Sequence, residues 1–302
     1  MEGLTDAAFR FIVAKYGKPD VSFTEFTSSD GLCSVAKDKL FENLIFDKTE
    51  RPIVAQLFGT NPDKFYDAVR IIEKLKFDGI DINMGCPDKN IVKKGAGAAL
   101  IKTPDLACKI ILATKKATNL PVSIKTRIGY DKIVTEEWIT YLLSTKPAAI
   151  TVHGRIKTEM YKGKAHWDEI AKVVLVRDKM KSKTLIIGNG DIQSLDQAYR
   201  KMEETKVDGI MVGRAILGNP WFFNKKVKKE NLKRKEILDV MVEHAYLFEK
   251  LFTNKKNFAS LKKHFAAYIS GFENSKRLKI ELMNCTNADE VRKVVNRQVS
   301  IL

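Results

Sequence analysis

Seven short β-prone apolar runs recur along the first 212 residues, separated by stretches with helical spacing. The runs cover residues 21–24, 53–57, 79–83, 122–127, 149–153, 185–188 and 209–212. Between them, residues 62–76 place Phe65, Ala68, Val69, Ile72 and Leu75 on one helical face. Residues 104–117 form a second such stretch, with Pro104 suited to a first helical turn and Thr103 to the N-cap. Alternation of this kind demands parallel strands joined by crossover helices. The expected fold is therefore α/β, a TIM-type (β/α)8 barrel, which needs eight strands. The strand still wanting falls before the helix predicted over residues 5–16. Met1, Glu2 and Gly3 then read as the end of a first strand whose body is truncated. A doubly wound open sheet is the alternative, weakened because no GxGxxG follows the early strands.

The pattern changes near Asn231, after which no strand is predicted. Ile237, Leu238, Met241, Val242, Ala245, Phe248 and Phe252 share one helical face. Phe258, Leu261, Phe265 and Tyr268 continue in the same manner, Gly271 is placed at the end of that helix, and residues 288–299 make another. The expected division is a catalytic barrel over residues 1–230 and a small helical domain over 231–302.

Charge and cysteine usage narrow the function classes. The 302 residues carry 53 Lys and Arg against 37 Asp and Glu, a formal charge of +16. Residues 231–302 hold 14 basic and 8 acidic residues, so the tail is the more densely positive part. Such an excess suits a polyanion, since each phosphate neutralised releases counterions; a solubilising lysine surface explains it equally well. No run approaches the roughly 20 apolar residues of a membrane span, and the start lacks the layout of a secretory signal. Cys33, Cys86, Cys108 and Cys285 form no CxxC pair and no metal-like spacing. They read as reduced thiols of a cytoplasmic protein without a metal or a membrane partner.

In a parallel barrel, function gathers at the C-terminal ends of the strands. Those ends carry Gln56, Asn83, Cys86, Lys125, Arg127, His153, Arg155, Asn189, Gly190, Asp191, Gly213 and Arg214. The last two ends form the usual phosphate site of such barrels, with glycines that let backbone N–H groups approach an anion. A helix near Gly218, Asn219 and Pro220 is expected to aim its N-terminus at the same place. Ordinary strand-to-helix turn chemistry is the plainer account of these glycines. Lys125 interrupts an apolar strand, and a buried cation wants an anion. That anion could be a bound ligand, or Glu25 or Asp81 in a structural ion pair. Cys86 lies between Gly85 and Pro87 in a turn; a thiol with a pKa near 8.5 is mostly protonated at pH 7 and can act as an acid. The other three cysteines read as inert. His153 points at the rim, His166 and His244 read as surface or helix-packing residues, and His264 as solvated or facing an RNA phosphate.

The segment Asp81-Ile82-Asn83-Met84-Gly85-Cys86-Pro87, followed by Gly95-Ala96-Gly97-Ala98-Ala99-Leu100, resembles the signature of tRNA-dihydrouridine synthases. So do Gln56-Leu57-Phe58-Gly59, Val152-His153-Gly154-Arg155, Tyr161-Lys162-Gly163, Gly188-Asn189-Gly190-Asp191 and the run from Gly213 to Trp221. The resemblance implies an FMN-dependent oxidoreductase acting on tRNA, with NADPH as reductant. It implies that Gln56, Lys125, His153, Asn189, Gly190, Asp191, Gly213 and Arg214 contact the flavin, as does the backbone at Met1. It places Asn83 on the target uracil, with Arg127 and Arg155 as further substrate contacts, and makes Cys86 the proton donor. The expected form is a monomer. A flavin oxidoreductase acting on a free pyrimidine or enoate is the alternative, and a small substrate would have no need of the basic helical tail.

Overall fold

The computed structural model describes residues 1–35, 37–273 and 275–299. They form two compact units: Phe26–Asn43 with Pro52–Gly213, and Met1–Glu25 with Leu44–Arg51 and Arg214–Leu302. The units do not follow a single cut at residue 230. The N-terminal helix and a short internal segment cluster with the C-terminal helices, while the unit of Phe26–Asn43 and Pro52–Gly213 carries nearly all the strands. Among the described residues the strands are β1 (Ser22–Phe23), β2 (Thr27–Ser28), β3 (Ile53–Phe58), β4 (Gly79–Met84), β5 (Val122–Gly129), β6 (Ala149–Ile156), β7 (Leu185–Asn189) and β8 (Gly209–Met211). Seven occupy the predicted runs; the additional one is the two-residue β2.

In the strand-rich unit, β3 to β8 are hydrogen-bonded in sequence order and all parallel, with β2 also parallel against β3. This is a curled β/α barrel sheet with helices around it. The helices Pro62–Lys74, Pro104–Ala117, Thr135–Ser144, Trp167–Lys179 and Leu195–Thr205 connect successive strands. Asn61 starts the first of these by accepting the Asp63 and Lys64 N–H groups, and Pro62 fixes its first turn. Thr103 does occupy the N-cap before Pro104, but its side chain makes no capping bond.

Successive strand side chains alternate between faces. Ile53, Ala55 and Leu57, then Ile80, Ile82 and Met84, then Ile124, Ile150 and Val152 form the apolar set, all buried. Gln56, Asp81, Asn83, Ser123, Lys125, Thr151 and His153 take the opposite parity. Cross-strand register sets Gln56 beside Asp81, Asn83 beside Lys125, Arg127 beside His153, and His153 beside Asn189. Polar residues that are scattered in sequence thereby share one face.

The other unit packs Ala7–Gly17 with Arg234–Phe252, Lys262–Tyr268, Ser275–Asn284 and Ala288–Val299. Its core is the predicted helical face, with Leu238, Met241, Ala245, Phe248 and Phe265 buried against Leu278 and Val291. Buried Arg10 explains why Leu44–Arg51 belongs here. Its Nε donates to Glu50 Oε2 at 2.7 Å, and its remaining nitrogens donate to the carbonyls of Thr5 and Ile45. Glu50 in turn accepts the Asp47 N–H in a capping box. The segment 214–224 contains a 3-10 turn, Arg214–Ile216, and no α-helix begins at Gly218, contrary to expectation. The left-handed Gly218 passes so close to Ala267 that a Cβ would lie 2.2 Å from its backbone, so this segment is shaped by packing.

His264 is also not where the sequence suggests. It is buried with Phe9, His244 and Tyr268, at 4.8 Å between its ring centroid and that of Phe9 and 5.0 Å to that of His244. An RNA phosphate cannot reach it there. Burial pushes its pKa down to about 4 and holds His244 well below the usual histidine range.

Two outcomes follow from this unit. Removing Arg10 alone, as Arg10→Met, strands the Glu50 carboxylate and should cost about 3–5 kcal/mol in urea unfolding; Arg10→Met with Glu50→Gln should cost less. Unfolded imidazoles take up protons near 6.5, whereas folded His264 resists until about 4. Unfolding therefore binds protons in that interval, and stability falls as pH drops through it. Thermal melts between pH 7 and 4.5 should show this decline, and His244→Phe should flatten it.

Candidate active site

The C-terminal ends of β3 to β7 assemble the polar face into a connected network. Asp81, fully buried in β4, accepts from Ser123 Oγ at 2.6 Å and from Gln56 Nε2 at 2.7 Å. Gln56 Oε1 accepts from Asn83 Nδ2 at 3.0 Å. Asn83 Oδ1 then takes the backbone N–H groups of Gly85 at 3.1 Å and Cys86 at 2.9 Å. Sequence reasoning offers Asp81 only as a counter-ion for Lys125 and overlooks Ser123. The strand parity was the available signal, since each lies two residues before an expected site residue.

Cys86 sits at the end of this network in an irregular loop. It is half-buried beside the small cluster of Phe26, Phe58, Ile91 and Ala96. Its carbonyl accepts the Ala98 N–H at 3.0 Å. Gly97, with φ +60°, makes this approach possible, because a Cβ there would lie 2.7 Å from the Cys86 carbonyl oxygen. Cys285, by contrast, is buried in the helical unit, and all four cysteines are free thiols.

Lys125 projects from β5 to Asn189 Oδ1 at 3.2 Å, and Asn189 Nδ2 donates onward to the Met211 carbonyl. The alternative of a structural ion pair with Glu25 or Asp81 is not realised; Glu25 pairs instead with Lys256 at 3.3 Å. Burial and the neighbouring Arg127 push Lys125 down to about 8, only partly opposed by Asp81. On the same face, burial raises Asp81 to about 6 against the hydrogen bonds from Ser123 and Gln56. A cation that ends on an amide oxygen at an open rim is fitted to receive an anionic or electron-rich group.

Arg127 and Arg155 are both buried. Arg127 donates to the carbonyls of Gly85, Ile156 and Met160. Arg155 donates to the carbonyls of Lys162 and Gly163 and pairs with Asp191 Oδ2 at 2.6 Å, while its Nη1 lies 3.2 Å from His153 Nε2. Asp191 also takes the Ala165 N–H. The two guanidiniums thus hold loops around the site, a duty that their residue type alone does not reveal.

Gly190 and Asp191 leave β7 with φ +139° and +56°. The Gly190 carbonyl accepts from Trp167 Nε1, and a Cβ at this position would lie 2.6 Å from the Ala165 side chain. Backbone turned this way can offer N–H groups to an anion. Gly213 follows β8 and is half-buried. Of the remaining sequence-derived candidates, Met1 and Arg214 belong to the helical unit. Met1 forms a turn in which its carbonyl accepts from Leu4 and Thr5, and Arg214 is exposed at the start of its 3-10 turn.

Comparison with known proteins fits this arrangement. The family described as dihydrouridine synthase (Dus) matches residues 1–301. A probable tRNA-dihydrouridine synthase 2 of Bacillus subtilis (strain 168) is 38% identical over 299 residues, covering 98% of this chain and 91% of that protein. A probable tRNA-dihydrouridine synthase of Staphylococcus aureus (strain COL) is 37% identical over 299 residues, with 98% and 90% covered. Among solved structures, histamine dehydrogenase from Rhizobium sp. 4-9 superimposes with a TM-score of 0.56 at 13% identity, covering 82% of this chain and 47% of that one. Morphinone reductase does so with a TM-score of 0.53 at 9% identity, covering 74% and 81%. At such low identity these structures speak for the barrel fold alone. A match along the whole length, two relatives well above 30% identity and a Cys86 loop anchored at the barrel rim lead to one conclusion: the chain belongs to the dihydrouridine synthase family.

Proposed function

We propose that this protein reduces the C5–C6 double bond of uridines in tRNA to 5,6-dihydrouridine, using FMN and, as reductant, NADPH. The observation that carries the reading is half-buried Cys86, whose backbone N–H donates to Asn83 Oδ1, on the same face as the Lys125–Asn189 pair. The residues fit a flavin: Gln56, Lys125, His153, Asn189, Gly190, Asp191 and Gly213 would hold it in the barrel unit. Bound there, the cofactor supplies the hydride that C6 of the uracil accepts.

The side chains do the rest. Cys86 holds the proton that C5 receives, so one hydride and one proton saturate the bond. Lys125 keeps a positive charge where electron density accumulates, a preorganised electrostatic role. One N–H of Asn83 goes to Gln56; its second is proposed to meet a uracil carbonyl. Arg127 and Arg155 shape the substrate site through the loops they clamp. The target base has to leave its stack to reach this rim, while the excess of basic residues holds the RNA backbone. The same reading carries a cytoplasmic, monomeric protein. Among the described residues, no helix is long and apolar enough to cross a membrane.

Cys86→Ala should lower dihydrouridine formation on tRNA by roughly 10²–10⁴-fold, the usual loss for a general acid, while flavin reduction by NADPH continues. Nucleoside mass spectrometry after single turnover measures the first and flavin absorbance the second. Undiminished dihydrouridine in that variant, or equal activity on free uracil, would overturn the reading. A second expectation concerns pH. A flavin that relies on the Lys125 charge should bind less well as pH rises through about 8, by about tenfold between pH 7 and 9. Fluorescence titration of FMN should show this slope, and Lys125→Met should bind weakly at every pH with the slope gone.

A further inference from the structure

Every hydrogen bond between Asp81 and the Cys86 loop has a forced direction. The backbone N–H groups of Gly85 and Cys86 can only donate, so Asn83 must turn its oxygen towards them and its nitrogen towards Gln56. Gln56 must then present its oxygen to Asn83 and its nitrogen to residue 81. The group ending the chain has to be an acceptor, and Asp81 Oδ2 is one. Its other oxygen takes the Ser123 hydroxyl. Asp81, Gln56 and Asn83 are all buried, where a mis-turned amide leaves donors facing donors without water to relieve them.

We propose that Asp81 is a positioning residue for the reaction: through Gln56 and Asn83 it fixes the amide orientations that hold the Gly85–Cys86 backbone, and with it the thiol. The inference rests on the acid role proposed for Cys86, but the geometry it claims can be tested without turnover. An acceptor is what position 81 needs, not a charge. An amide at this position can turn its oxygen to Gln56 and donate its N–H to the Ser123 hydroxyl, which accepts as readily as it donates. An apolar side chain of similar size can do neither.

Reversing the chain gives the sharpest test. Asn83→Asp alone puts carboxylates on both sides of Gln56, which has one amide nitrogen to offer. Adding Asp81→Asn lets the whole chain run backwards: the new amide donates to Gln56 Oε1, and Gln56 Nε2 donates to the new carboxylate, which still accepts both loop N–H groups. Iodoacetamide labelling of the purified protein, followed by peptide mass spectrometry, reads how firmly Cys86 is held, with Cys108 and Cys285 as internal references. Losing one buried bond should raise the open population of the loop by about tenfold. Asp81→Leu and Asn83→Asp should therefore label Cys86 about ten times faster, with the references unchanged. Asp81→Asn and the Asp81→Asn/Asn83→Asp pair should return to within about twofold of the parent.

An unchanged rate in Asn83→Asp, or equal rates in that variant and the double variant, would overturn the proposal. If Asp81→Leu labels all cysteines alike it has lost its fold, and the reversal pair decides alone. The acid role fails separately: a Cys86→Ala protein that still forms dihydrouridine removes that role and leaves the labelling ratios standing.

Discussion

The register of the parallel strands is the constraint on which the site depends. Side-chain direction along a strand repeats every two residues, so a slip of one position would exchange the two faces. Here it would drive Asp81, Asn83, Lys125 and His153 against the helices and turn Ile80, Ile82, Ile124 and Val152 to the polar side. Both errors are costly, because the first buries unpaired polar groups and the second exposes the core. The apolar set that stabilises the unit therefore also fixes Gln56 beside Asp81 and Asn83 beside Lys125. Core packing and site geometry are set by one choice of register.

That face disfavours charge of either sign. Burial raises Asp81 and lowers Lys125, each towards neutrality. Their attraction opposes both shifts and does not cancel them. The two ends of the face resolve the tension differently. Asp81 is deep and fully supplied with donors by Ser123 and Gln56. Lys125 reaches the rim and, among the described residues, donates to the oxygen of Asn189. A ligand with negative charge would thus find its strongest complement at the rim rather than at the deep carboxylate.

Much of this was legible in the sequence, and the exceptions share a cause. Strand positions, the helix from Pro104 to Ala117 and the rim placement of Cys86 follow from local periodicity and turn residues. The two-residue β2 is too short to have a period. The resemblance makes Arg127 and Arg155 substrate contacts, and nothing in the sequence marks them as loop clamps as well. Their partners are loop carbonyls such as those of Met160 and Lys162, which no spacing rule connects to them. His264 sits beside Lys262 and Lys263 and so looks exposed, yet the helix turns its ring into the core with Phe9 and His244.

The helical unit shows the same limit at longer range. A linear reading divides the chain where its periodicity changes, near residue 231. The compact unit instead gathers three separated segments, and specific polar bonds join them beside the shared apolar core. Arg10 reaches Glu50 and the Ile45 carbonyl, Asn224 donates to the Tyr16 carbonyl, and Glu243 accepts from both Lys15 and Tyr16. Each pair is an ordinary charged or polar combination whose partners lie 35 or more residues apart. Apolar periodicity says which face of a helix is buried; the specific polar partner, at Arg10 as at Asp81, says what it is buried against. That second kind of information also sets the orientation of the Cys86 loop, and it becomes readable only once the chain is folded.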